Sequence, residues 1–360
     1  MSKDKVLVAM SGGVDSSVAV ILLMEMGYEV IGMTMNMYSD TKKKSYDETT
    51  ENKPNYLEEA KKIADSLNIA HYTIDVRNKF NEAVISNFFK EYIIGKTPNP
   101  CVRCNTYIKW ETLINYADKL NCKYISTGHY AQIRYENKRY IISKGLDEKK
   151  DQSYFLWGLK QNILSRIIFP LSKFTKEQIK NIATNNGFKK LSDRGESQEI
   201  CFIPDNDYRK FLRDNVKDID RIITEGNFVD KNGKILGKHK GYPFYTIGQR
   251  KGLNIAVGQP LYVIKIIPET NTIYLGTRNE LNKKSMLVKE FNLIKYNNLP
   301  KNFEVNTKIR YRNEGTLSKI NIYDDKIVVD FYKDVSAITP GQSAVFYEND
   351  DIVGGGIIES

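Results

Sequence analysis

The 360-residue chain predicts a doubly wound, mostly parallel α/β domain followed by two small, mainly β domains. Three observations carry this expectation. Short apolar strands alternate with amphipathic helices between Lys5 and Thr127. A turn rich in glycine and serine joins the first strand to the first helix. After about Pro204 the texture changes to short strands between glycine turns, with no long helix beyond Lys217.

Residues 5–10 read as a buried parallel strand, and 15–26 as a helix that Gly27 ends. A second strand covers 29–35, and the polar, lysine-rich stretch 39–53 reads as a mobile loop. Helix 56–67 places Leu57, Ala60, Ile63, Ala64 and Leu67 on one face. Strand 71–76 follows, then a helix over 80–94 ended by Gly95, because Thr97-Pro98-Asn99-Pro100 cannot continue it. Helix 108–120 and strand 124–127 complete the alternation. Residues 133–143 form a hairpin turning at Glu136-Asn137, and Thr175 with Gln178 makes a capping box opening a helix to about Asn186. Residues 287–358 are β-rich. The expected domains are 1–205, 206–278 and 279–360.

Composition narrows the class. Hydrophobic residues make up 41%, enough for real cores and too many for a disordered chain. The longest strongly apolar run, 18–24, is too short to span a bilayer. Met1-Ser2-Lys3-Asp4 lacks a signal-peptide layout, so a cytoplasmic protein with no membrane partner is expected. The net charge of +10 suits a polyanion such as nucleic acid, although the scattered lysines fit compositional bias equally well. Four cysteines, Cys101, Cys104, Cys122 and Cys201, are too few for a disulfide framework, and a close pair suggests metal or redox chemistry instead.

Two motifs carry chemistry. Ser11-Gly12-Gly13-Val14-Asp15-Ser16-Ser17 follows a strand and opens a helix, where N–H donors and the helix dipole favour phosphate. Asp15 is unusual beside an anion, and a magnesium bridge would explain it. No Gly-Lys-Ser/Thr occurs, so this is not a kinase-type loop. The second motif, Pro98-Asn99-Pro100-Cys101-Val102-Arg103-Cys104-Asn105, reads as a rigid segment just before a helix. A helix start favours thiolate, and Arg103 is expected to add to this. Cys122 ends an amphipathic helix and reads as packing only.

The first motif resembles the loop of ATP pyrophosphatases, enzymes that adenylate an oxygen and release pyrophosphate. The loop alone leaves argininosuccinate, GMP, NAD and lysidine synthetases and the tRNA thiolases open. The chain as a whole resembles the tRNA-specific 2-thiouridylase family. The matching blocks are 11–17, 97–105, 127–130, 150–155, 197–204, 248–252, 311–312 and 339–344. That resemblance implies an adenine nucleotide alpha-hydrolase-like first domain, a C-terminal β-barrel that meets tRNA, and ATP with Mg2+ as cofactors. It implies sulfur transfer to C2 of the wobble uridine of tRNA(Lys), tRNA(Glu) and tRNA(Gln), with a cysteine desulfurase or sulfur-relay protein as donor.

By position, Ala9, Met10, Ser11, Gly12, Gly13, Val14, Asp15, Ser16, Met35 and Gly128 would touch ATP. Cys104 would be the nucleophile and Cys201 the persulfide carrier, joined in a transient disulfide. His129, Asp151, Gln152, Ser153, Tyr311, Arg312 and Gln342 would contact tRNA, with Asn99, Pro100 and Cys101 beside the target base. One position departs from many members of the family, since Cys101 stands where an aspartate is common. Cys101, Cys104 and Cys201 could therefore hold three irons of a [4Fe–4S] cluster, leaving two forms of sulfur carrier open. Two other classes compete: an adenylating ligase or amidotransferase acting on a small molecule, and a non-catalytic RNA-binding protein with a vestigial loop.

Overall fold

The structure, a computed structural model, describes residues 3–38, 56–193, 200–203, 205–216 and 219–360. The stretch 39–53, and residues 197–199 and 204 around Cys201, lie outside them. The chain packs as two compact units. One comprises Met1–Ala83, Val102–Ser197 and Asp350–Ile352; the other comprises Val84–Cys101, Gln198–Asn349 and Val353–Ser360. Among the described residues no helix is long and apolar enough to cross a membrane.

The first unit is built on β1 (Lys5–Ala9), α1 (Val14–Glu25), β2 (Glu29–Asn36), α2 (Tyr56–Ser66) and β3 (Ala70–Asp75). Its strands form a five-stranded sheet in the order β3-β2-β1-β4-β7, with β4 at Tyr124–Ser126 and β7 at Ile167–Ile168. All neighbours are parallel, with Val6 opposite Val30 and Tyr124. A parallel sheet needs cover on both faces. Val6, Val8, Val20, Leu23, Ala60 and Ala64 form one buried cluster, and Val18, Ala19, Leu22, Leu171, Ile179 and Ala183 another. Each large aliphatic side chain so buried stabilises the unit by about 1.5–3 kcal/mol.

The helix expected over 80–94 starts earlier, at Arg77, because the Asp75 carboxylate accepts the Arg77 N–H at 3.0 Å. It also contains a π-type turn at Asn81–Ile85. A larger correction concerns the cysteines. Pro100–Cys104 is itself a short helix, α3, so Cys101 and Cys104 lie within helical backbone rather than ahead of it. A π-type turn, Asn105–Lys109, joins it to α4 (Trp110–Lys119). The widening has a local cause: the Thr106 hydroxyl donates to the Val102 carbonyl at 2.9 Å and competes for the helical ladder.

β5 (Ala131–Glu136) and β6 (Arg139–Lys144) form the expected hairpin, but the turn lies one residue later than expected, through Asn137 and Lys138, both at positive φ. α5 (Lys176–Asn185) opens with both halves of the capping box formed by Thr175 and Gln178. The hairpin also receives Asp351, whose carboxylate accepts two bonds from Arg134 at 2.7 Å and one from the Ser143 hydroxyl at 2.7 Å.

The second unit holds two β systems. β8 (Gly226–Val229), β9 (Ile235–His239), β10 (Tyr262–Ile267) and β11 (Thr272–Gly276) form a four-stranded sheet ordered β10-β11-β8-β9. The other β system is a six-stranded closed barrel: β12 (Asn282–Leu293), β13 (Phe303–Lys308), β14 (Thr316–Tyr323), β15 (Lys326–Ser336), β16 (Ser343–Glu348) and β17 (Asp351–Ile358), of which Asp351 and Ile352 count with the first unit. β12 pairs with both β15 and β17, which closes it. Its interior is apolar, with Val288, Ile320, Ile327, Val329, Phe346 and Val353 fully buried.

The Arg134–Asp351 pair generates the first prediction. Arg134→Met removes both guanidinium donors from a mostly buried carboxylate. The expected loss is about 1–3 kcal/mol of stability, read as a lower urea midpoint.

Candidate active site

The glycine- and serine-rich turn delivers β1 to the start of α1. Gly13 precedes α1 and no side chain caps this end. The N–H groups that a helix leaves unsatisfied in its first turn therefore remain for a ligand. Inside the loop, the Ser11 N–H donates to the Ser16 hydroxyl at 3.2 Å. The Ser16 and Ser17 hydroxyls donate to the Gly13 carbonyl at 3.0 and 2.9 Å. Ser11 is exposed while Gly12 and Ser16 are buried, so Ser11 forms the lip of the loop. Met35 is buried at the carboxyl end of β2, and Met10 donates its N–H to the Met33 carbonyl at 2.8 Å.

Gly128 follows β4 and lies against the same helix end. A Cβ placed there would stand 2.8 Å from the Asp15 carbonyl carbon and from the Ser16 nitrogen. Only a residue without a side chain permits that approach. The sequence-predicted nucleotide residues of the loop and Gly128 are thus brought together at one end of the sheet, as open α/β sheets bring ligands to the carboxyl ends of their strands.

Asp15 is not left as an uncompensated anion. The Lys176 ammonium, on the first residue of α5, meets both its carboxylate oxygens at 2.6 and 2.8 Å. The Tyr130 hydroxyl donates to the same carboxylate at 2.8 Å. Neither Lys176 nor Tyr130 was singled out for this role from the sequence, although one signal pointed to the lysine. A cation in the first turn of a helix opposes the dipole and calls for an anionic partner.

His129 lies inward. Its ring stacks near Trp110, with centroids 6.0 Å apart, and its Nδ1 pairs with the Thr127 hydroxyl at 2.6 Å. Burial, with a smaller contribution from Lys109, lowers its pKa from 6.5 to about 3, so the ring is neutral at physiological pH. Asp151 and Ser153 are also buried. The Asp151 carboxylate accepts from the Gly145 and Ser153 N–H groups at 3.1 Å and from the Ser153 hydroxyl at 2.9 Å. Gln152 accepts the Tyr130 N–H at 3.1 Å. In this arrangement the Asp151 and Ser153 side chains shape the turn behind Tyr130.

Cys104 is buried and ends α3, while Arg103 is engaged elsewhere: its Nε donates to the Ala83 carbonyl at 2.9 Å and its guanidinium covers the Tyr107 ring at 4.9 Å. The expected help from Arg103 to a thiolate is therefore not what its side chain is arranged to give. Burial raises the pKa of Cys122, in keeping with a packing role.

In the second unit, Cys201 is exposed and is followed by buried Phe202 and Ile203. Phe202 packs edge-on against Phe88 at 5.5 Å and beside Phe211 at 5.4 Å. Two buried neighbours thus hold an exposed thiol at the surface. Cys101 is half-buried. Tyr311 is half-buried and Arg312 exposed in the turn between β13 and β14. Gln342 is half-buried, and its amide donates to the Thr97 and Pro98 carbonyls at 3.0 and 3.1 Å.

Among the described residues no three His, Cys, Asp or Glu side chains are gathered so as to hold a metal ion. A single carboxylate suffices for magnesium when phosphate oxygens supply other ligands, so Asp15 fits that ion.

Fold and site together define an ATP-utilising α/β domain followed by two β domains. Family profiles agree with that order: a tRNA methyl transferase HUP domain over residues 4–205, a tRNA methyl transferase PRC-barrel domain over 209–277 and an aminomethyltransferase beta-barrel domain over 283–358. The chain is 50% identical to the tRNA-specific 2-thiouridylase MnmA of Amoebophilus asiaticus, covering 100% of this chain and 96% of that one. It is also 50% identical to that of Cytophaga hutchinsonii, over 99% and 98%. With the protein of the same name from Carboxydothermus hydrogenoformans it shares 44%, over 100% and 98%. The chain belongs to the tRNA-specific 2-thiouridylase family.

The buried histidine gives a pH prediction. Above pH 6.5 His129 is neutral folded and unfolded. Between 6.5 and about 3 only the unfolded chain binds the proton, so stability falls as pH drops through that window. His129→Asn should flatten that part of the stability–pH curve, measured by urea unfolding at stepped pH. An unchanged slope would refute the assignment.

Proposed function

We propose that the chain, like its full-length relatives, replaces the C2 oxygen of a uridine in tRNA with sulfur, cleaving ATP to AMP and pyrophosphate. The target is the wobble uridine of the tRNAs for Lys, Glu and Gln. A cysteine desulfurase, directly or through a relay protein, supplies the sulfur, and the reaction takes place in the cytoplasm. The observation that carries this reading is the uncapped start of α1 beside the Asp15–Lys176 pair, a site built for phosphate, in a chain that also carries Cys104 and an exposed Cys201.

The uracil oxygen is a poor leaving group until it is adenylated. It attacks the α-phosphorus of ATP and pyrophosphate departs. The Ser11 hydroxyl and first-turn N–H groups stabilise that leaving group. Mg2+ held by Asp15 and phosphate oxygens would neutralise further charge. Lys176 is then a phosphate ligand that the loop itself lacks. The terminal sulfur of a Cys201 persulfide attacks C2, and AMP leaves with the oxygen. The Cys104 thiolate attacks the Cys201 sulfur and the S–S bond breaks. Its electron pair stays on the new thiouridine, and a Cys104–Cys201 disulfide remains for a thiol reductant. The exposure of Cys201 supports loading by a donor protein.

Two predictions follow from these roles. Cys104→Ser and Cys201→Ser should each lower thiouridine formation by at least about 10³-fold while tRNA binding persists, scored by tRNA retardation on a mercury-affinity gel. Wild-type retardation with either variant would sink the assignment of that cysteine. Lys176→Met should lower kcat/KM for ATP by about 10²-fold, with KM for tRNA little changed. Equal losses for both substrates would instead mark Lys176 as a residue of general stability.

A further inference from the structure

The segment leading into α3 includes two residues that cannot donate from the backbone. Residues 97–99 lie in no helix or strand, and Pro98 and Pro100 have no N–H to donate. The Thr97 and Pro98 carbonyls take their donors from another part of the chain. The turn Thr339-Pro340-Gly341-Gln342 supplies them. The Gln342 side-chain nitrogen donates to the Thr97 carbonyl at 3.0 Å and to the Pro98 carbonyl at 3.1 Å. In return the Thr97 N–H donates to the Pro340 carbonyl at 2.9 Å, and the Thr97 hydroxyl donates to that of Thr246 at 3.3 Å.

The turn itself is fixed to the last strand of the barrel. Gly341 donates its N–H to the Ile358 carbonyl at 2.9 Å, and Ile358 returns one to the Gln342 carbonyl at 2.8 Å. Gly341 has φ +90°, and a Cβ there would stand 2.8 Å from the Thr97 carbonyl oxygen. The two backbones are as close as a glycine allows.

A primary amide has two N–H donors and one oxygen acceptor. Turning the Gln342 amide over would set its oxygen against two carbonyl oxygens, so chemistry fixes the orientation. With both N–H groups on Thr97 and Pro98, only Oε1 is left to meet another molecule. That is a poor arrangement for a residue whose main task is to grip phosphates.

We propose that Gln342 is a positioning residue. It sets Asn99, Pro100 and Cys101 for the reaction by holding the two carbonyls before them, and its effect on tRNA affinity is minor. This rests on the reading that those three residues face the target base. A displacement of about 1 Å near reacting atoms can lower a rate by ~10²-fold, so a clamp of this kind acts on the chemical step rather than on binding.

The test separates rate from affinity. Gln342→Met keeps the length and loses both donors, and Gln342→Glu turns carboxylate oxygens toward the carbonyls. Single-turnover thiolation at saturating ATP, persulfide donor and tRNA should fall by about 10²-fold in both. The tRNA Kd by filter binding, and the thermal midpoint, should stay close to wild type. A raised Kd with a wild-type saturating rate would overturn the proposal and make Gln342 a tRNA contact. Asn99→Ala distinguishes the two layers of the argument. A slow Asn99→Ala enzyme beside a normal Gln342→Met enzyme overturns the clamp alone. A normal Asn99→Ala enzyme overturns the base-facing reading and the proposal with it. If neither Gln342 variant folds, Thr97→Val removes the segment's own hydroxyl bond to Thr246 and should slow the saturating rate by about 3–10-fold. A wild-type rate there would overturn the clamp.

Discussion

The nucleotide end of the first unit depends on the missing side chain at Gly128. The exit of β4 and the first turn of α1 touch backbone to backbone there. That contact sets how far the loop stands from the sheet. It also sets where Tyr130 begins, two residues on, and so lets its hydroxyl reach the Asp15 carboxylate. Gln152 then fixes Tyr130 through its N–H, and Asp151 organises the turn that carries Gln152. A loop that must receive phosphate is thereby held by a chain of short contacts. With any larger residue at 128 the first link would have to move by several tenths of an ångström.

The Asp15–Lys176 pair is better explained by a ligand than by stability. Its side chains are 34% and 19% exposed, respectively. Ion pairs in such partly wet positions contribute about 0–1 kcal/mol. The dipoles at the two helix starts do not favour the lysine either. What the pair does achieve is local balance: a carboxylate can stand at a phosphate loop because an ammonium stands beside it. In the proposed reaction, phosphates and a divalent cation would give both charges a new partner of opposite sign, and neither would be left buried alone.

Much of the fold was legible because its signals are local. The apolar runs gave the parallel strands, Gly27 and Gly95 closed their helices at positive φ, and the Thr175–Gln178 box formed as written. The loop was legible for the same reason, since seven consecutive residues carry it. Lys176 was not, because its partner lies 161 residues away in sequence and no local pattern couples them. The helical state of Pro100–Cys104 was hidden by the two prolines flanking Asn99, which suggest extended chain, although proline at a first helical position is well tolerated. His129, Asp151 and Ser153 are polar residues whose burial depends on tertiary packing, so their inward setting could not be read from their type. Arg103 likewise looked like a neighbour to a thiol and is committed to a carbonyl and a ring.

The barrel gives the irregular segment something fixed to lean on. An open sheet presents an edge whose strand can slip or fray. Here β12 pairs on both sides, with β15 and with β17, so the six strands close and no strand can shift register without breaking the ring. The interior is filled with β-branched and aromatic residues, several fully buried, and such packing resists small displacements. Ile358 is one of those core residues and also the backbone partner of the turn at Gln342. A carbonyl of Thr97 is therefore tied, through two hydrogen bonds and one residue, to a rigid apolar core. Prolines that cannot donate, glycine that admits close approach and an amide with two donors together turn a stretch without secondary structure into a defined one.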